Sequence, residues 1–208
     1  MGSNAEIDVG RGAGRRLRSD TRRNQRRLME AVGEIARETP DQLTMQVIAA
    51  RAEIGTATAY RYFSTVDDVL AAYVLGVIDD LAAFSADSPL EGRKLFAAVL
   101  DKWIALLEHH GTTIVQLRSR RGFLARLHTG DQNILGVQRA WERPVTGLLA
   151  DLDITSITLD HALFLLNILF DPREINDLRT EEKLPPRKVA ARLTEAYIGA
   201  LRGWSTVD

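Results

Sequence analysis

The residues best suited to chemistry lie between Thr44 and Phe63, and their chemistry is recognition without bond breaking. The run Thr56-Ala57-Thr58-Ala59-Tyr60-Arg61-Tyr62-Phe63 follows Ile54 and Gly55. At helical spacing its first three residues are small enough to approach another surface closely. One turn on, Arg61 offers the planar fork that pairs with the O6 and N7 edge of guanine. The hydroxyls of Thr44, Tyr60, Tyr62 and Thr65 suit phosphate oxygens, contacts that position a protein on a duplex. Arg22 and Arg23 add charge nearby. Tyr60 and Tyr62 are two apart, so they cannot share a helix face and at least one must point outward.

These side chains need two short helices at a fixed angle. Val47, Ile48 and Ala52 give the first an apolar face, Ile54 and Gly55 break the chain, and Thr56 to Phe63 form the second. Two such helices joined by a tight turn are a helix-turn-helix candidate, whose second helix enters the major groove. A supporting helix is expected from about Asp20 to Glu38, on the stripe Leu28, Ala31, Val32 and Ile35. A fourth helix should start near Thr65, with Asp67 and Asp68 in its first turn, and reach about Phe84.

Charge is distributed to match. The net charge of -1 hides +3 over residues 1–63 and -4 over 64–208. Eight Arg lie between Arg11 and Arg27 against the single acid Asp20. A basic end on an acidic body suits a protein that touches a polyanion with one part only. Residues 1–18, rich in Gly and Arg, are expected to be a disordered arm, either solvated or lying on DNA.

The motif Thr44…Ile48-Ala49…Ala52…Ile54…Thr58…Tyr60-Arg61-Tyr62-Phe63, followed by Val69-Leu70, resembles the DNA-binding motif of the tetracycline-repressor (TetR) family. A weaker likeness continues through residues 171–179 and 200–204. The resemblance implies an all-α protein with three parts: an arm over 1–18, a DNA-binding domain over 19–67, and a ligand-binding and dimerisation domain over 68–208. It also implies a repressor that binds a palindromic double-stranded DNA operator as a homodimer and answers to a small-molecule effector. Two residues depart from the family pattern. Glu53 stands where Gly is usual in the turn, so either it is left-handed, at roughly 1–2 kcal/mol, or Gly55 absorbs the bend. Val66 replaces a usual phosphate-contacting Lys, leaving Thr65 or the arm to substitute.

Beyond Phe84 the spacing predicts helices only. A loop is expected over Ser85–Pro89, a helix ending at Gly111, and a shorter one capped by Thr112. Segments follow at Phe123–Leu127 and from Asp131, with a kink at Pro144. Ile157–Phe170 is apolar nearly all round and should be buried on both sides, against the core and against a second chain. The last helix follows Pro185-Pro186. These two helices from each subunit would form the dimer interface. Trp103, Leu117, Phe123, Trp141, Phe164 and Asn167 are either ordinary core or, as the resemblance implies, the walls of an effector pocket. Asn167, if buried, must find a polar partner.

Little else points to chemistry. The chain has no Cys, which excludes thiolate catalysis and Cys-based metal sites and fits a cytoplasmic protein. No nucleophile elbow, phosphate loop or dinucleotide fingerprint is present, and His109, His110, His128 and His161 lack ligand spacing. No enzyme, cofactor or metal is expected. No apolar run reaches the roughly 18 residues of a membrane span. The rival expectations are a regulator controlled by a protein partner, and a helical interaction module that does not bind DNA.

Overall fold

A computed structural model describes residues 8–117 and 121–206, with side chains from Asp20 onward. The described residues contain helices and no strand, so the fold is all-α. The chain divides into two compact units between Tyr73 and Val74. That division falls inside a helix, not at residue 67.

The first unit holds α1 (Asp8–Glu38), α2 (Met45–Arg51), α3 (Thr56–Tyr62) and the start of α4 (Val66–Asp87). The expected stripe of α1 is buried, with Leu28, Val32 and Ile35 fully inside and Ala36 beside them. Against it pack Met45, Ile48, Ala49 and Ala52, then Ala59, Val69 and Leu70. Phe63, at the end of α3, is half-buried. Helix α1 starts at Asp8, well before Asp20, so the chain is helical over residues 8–18 and not disordered there. Extending an existing helix requires no new nucleus, which removes the main cost of ordering such a segment. The arm's side chains, and residues 1–7 altogether, lie outside the described residues. Gly33 is where α1 and α4 meet closely: a Cβ there would sit 2.6 Å from the Tyr73 ring.

The second unit holds the rest of α4, then α5 (Gly92–Gln116), α6 (Phe123–His128), α7 (Gln132–Asp151), α8 (Leu159–Leu169), α9 (Pro172–Thr180) and α10 (Pro186–Ser205). Its most extensive packing is α5 on α7, with α8, α9 and α10 closing around them. Four aromatic rings form the centre. Phe96 stacks on Tyr197 at 5.3 Å and 3°, Phe170 lies 6.0 Å from Phe96 and 5.5 Å from Tyr197, and Trp141 lies 5.7 Å from both Phe96 and Phe170. The Tyr197 hydroxyl donates to the Ala162 carbonyl at 2.9 Å, which satisfies its one buried polar group. Burial raises its pKa above the usual phenol value.

Several boundaries differ from expectation for physical reasons. Helix α4 runs on to Asp87 because Arg143 holds its C-terminal end, donating to the carbonyls of Ser85 (2.8 Å), Ser88 (3.0 Å) and Leu90 (2.9 Å). Helix α5 passes through Gly111 to Gln116. An interior Gly costs about 1 kcal/mol, and burial of Ile114 just beyond it offsets that. The N-cap expected at Asp131 is present: its carboxylate accepts from the N–H groups of Asn133 (3.1 Å) and Ile134 (3.3 Å). Pro144 sits buried within an unbroken α7. Helix α4 is also long and apolar enough, by composition, to cross a membrane, contrary to expectation. Its apolar residues are nonetheless core: Val69 and Leu70 are buried in the first unit, and Val74, Val77, Ile78 and Leu81 in the second. Asp79, within the same window, pairs with Arg139 at 2.8 Å.

Candidate functional site

The first unit presents its polar face on α3. This seven-residue helix is anchored by Ala59, which is fully buried, and by little else of its own. Around that anchor Ala57, Tyr60 and Arg61 are exposed, and Thr56, Thr58 and Tyr62 are half-buried. The Arg61 guanidinium lies over the Tyr62 ring, 5.6 Å from its centre. Tyr62 is the member of the pair that turns inward. Its oxygen accepts from Asn24 of α1 at 3.3 Å, and its pKa is lowered by that bond and by the adjacent Arg61. Tyr60, 46% exposed, points out.

Geometry in the turn resolves the first departure. Glu53 is left-handed at φ 53°, whereas Gly55 is extended at φ −60° and serves as the N-cap of α3. The Glu53 carboxylate accepts from Arg27 at 2.7 Å, which ties the strained residue to α1. On the other side of α2, Arg51 bridges Glu34 (3.1 Å) and Glu38 (3.0 Å), and these bonds raise its pKa. Helix α2 is held on α1 by its buried Met45, Ile48 and Ala49, the ion pairs add to that contact, and α3 packs on α2 in turn.

The remaining expected contacts are spread around α3. Thr44 is exposed and caps α2, accepting from the Val47 N–H at 3.3 Å. Thr65 and Asp68 form a reciprocal capping box at the start of α4, with bonds of 2.9 and 3.1 Å. Arg22 and Arg23 are exposed on α1, and Arg23 pairs with Asp20 at 2.9 Å. An ion pair this exposed is worth only about 0–1 kcal/mol, so a phosphate can replace Asp20.

A second site lies wholly within the second unit. It is a cavity of about 420 Å³, within the ~300–1,000 Å³ usual for small-molecule sites. Five of the six residues expected to line a pocket do so: Trp103, Leu117, Phe123, Trp141 and Asn167. Phe164 does not; its ring meets Trp204 edge-on at 6.1 Å, on the outer side of α8. Asn167 is exposed, not buried, so water can satisfy its amide. Sequence reasoning missed the polar lining: Arg121, Arg126, Asn133, Asp171 and Arg173. Nothing local singles these residues out, because they come from three helices and the turns between them.

Comparison with solved structures decides the architecture. A TetR-family transcriptional regulator from Streptomyces coelicolor superposes with a TM-score of 0.57 at 18% identity, covering 88% of this chain and 81% of that one. A proposed transcriptional regulator from Pseudomonas aeruginosa PAO1 does so at 0.58 and 14%, covering 88% and 92%. The chain has the fold of TetR-family regulators. No family model matches the sequence, and no curated protein matches it significantly. With so few identities, the shared fold is carried by helix order and packing, and the motif residues of this chain must be argued from their own geometry.

Proposed function

We propose that this protein is a TetR-family transcriptional regulator, a repressor that binds a palindromic operator as a homodimer and responds to a small molecule. The observation that carries the reading is the outward face of α3. Ala57, Tyr60 and Arg61 stand exposed around a single buried anchor, on a helix packed against α2, whose own buried face lies on α1. In this reading Thr56, Ala57, Thr58 and Arg61 meet base edges, and Thr44, Tyr60, Tyr62, Thr65, Arg22 and Arg23 meet the backbone. The dimer forms through α8 and α10. Ile168, 52% exposed, and Trp204, 43% exposed, support this as apolar side chains on the outer faces of those helices. Two copies of α3 then lie about one DNA turn apart, ~34–36 Å. The cavity supports a small-molecule effector over a protein partner. An effector acts by binding the two DNA-binding states with different affinity. The protein works in the cytoplasm, on DNA, without a cofactor.

Fluorescence anisotropy with labelled DNA from beside the protein's own gene tests the reading. Saturable binding that competitor DNA of random sequence does not displace is the expected result. Binding no tighter than to random DNA overturns it.

A further inference from the structure

The cavity wall is asymmetric in charge, and this selects among ligands. Three guanidiniums, those of Arg121, Arg126 and Arg173, line it against one carboxylate, Asp171. That carboxylate is fully engaged: it accepts from the Arg173 N–H (2.9 Å), Nε (3.0 Å) and Nη2 (2.9 Å) and caps α9. A cationic ligand would find no spare acid in the wall. Arg126 is half-buried and gives Nε and Nη2 to Asp131, at 3.0 and 3.3 Å, which leaves Nη1 for another acceptor. Opposite in character, Trp103, Trp141, Phe123 and Phe170 give the rest of the wall flat apolar faces. The amide oxygen of Asn133, also in the wall, is buried with no hydrogen-bond partner among the described residues. An orphan acceptor of this kind calls for a donor from whatever occupies the space.

We infer that the cavity takes an amphipathic carboxylate: a flat apolar body between the aromatic side chains, an anionic end at Arg126 with Arg121 beside it, and a hydroxyl or N–H that reaches Asn133. The inference rests on the effector-site reading above and names its ligand class. A guanidinium that is partly desolvated and already oriented by Asp131 binds a carboxylate with charge-assisted hydrogen bonds at little ordering cost.

The test is calorimetric titration of the full-length protein with three probes of one shape: 2-naphthoate, its methyl ester and 2-naphthylmethylammonium. Naphthoate is expected to bind at least tenfold more tightly than the ester, and the ammonium more weakly still. Arg126→Gln should weaken the acid far more than the ester and so bring the two to similar affinity, a pattern that general loss of structure does not produce. Should that variant fail to fold, Arg121→Gln at its exposed position should narrow the acid–ester ratio several-fold. Equal binding of acid and ester by the unaltered protein, or tightest binding of the ammonium, overturns the carboxylate assignment and leaves the effector site standing. No binding of any probe overturns both.

Discussion

In the first unit the exposed side chains with recognition chemistry lie on a short helix anchored by one buried alanine and packed on α2 and α1. In the second they converge on a partly open cavity whose walls come from several packed helices and the turns that join them. The outward site needs only a pose; the inward site needs a volume. A pose survives strain in one turn, and Glu53 at φ 53° is an instance. A volume depends on close approach between helices, and its tolerance for added atoms is small. The two sites should therefore fail differently when perturbed.

The largest effect is expected at Gly92, which starts α5 at φ +54° and would place a Cβ 2.1 Å from the Asp151 carboxylate that caps the helix through the Arg93 N–H (2.7 Å). Gly92→Ala should lower stability by about 2–4 kcal/mol, from backbone strain and a displaced cap together. Urea unfolding measures it, and DNA affinity well below the unfolding transition should hardly change. Arg61→Ala should do the reverse, weakening specific DNA binding by about 1–3 kcal/mol with unfolding and dimerisation unaltered. A parallel loss of stability would show that α3 is structural and that the contrast is false.

Acid separates the units more gently. Burial alone would raise the Asp131 pKa, but Arg126 and the Ile134 and Asn133 N–H groups outweigh it, so the folded value lies below the ordinary one. A depressed carboxylate stabilises the fold above its unfolded pKa of about 3.9 and stops doing so as pH falls through the folded value. Asp131→Asn keeps a capping side chain but gives up the charge that Arg126 pairs with, and should cost up to about 1 kcal/mol at neutral pH. The gap from the unaltered protein should close below about pH 4, as urea midpoints at several pH values will show. The smallest effect is expected in the turn. Glu53→Gly relieves the left-handed strain and gives up an exposed ion pair, for a net change within about 1 kcal/mol. Releasing Arg27 should steepen the salt dependence of DNA affinity.

The same contrast governs how much could be read from the chain. The helix-turn-helix was legible because its signals are local: apolar spacing through Val47, Ile48 and Ala52, and Gly55 ahead of a run of small residues. Even the strain at Glu53 could be posed as one of two alternatives. The cavity was half legible. Aromatic residues at Trp103, Phe123 and Trp141 mark apolar wall, but Arg121, Arg126, Asn133 and Arg173 look in sequence like ordinary surface polar residues. They become lining only through tertiary packing. Gly111 misled for a related reason: burial of Ile114 beyond it outweighs a local preference to stop. Asn167 misled because an apolar run does not say which side of its helix lacks a cover.

The most direct test of the regulator reading is selection of bound duplexes from a random DNA pool by the full-length protein. The account predicts enrichment of an inverted repeat with half-sites about 10 base pairs apart, centre to centre, and loss of that enrichment in Arg61→Ala. A pool that emerges unenriched, or a site without two-fold symmetry, would contradict it.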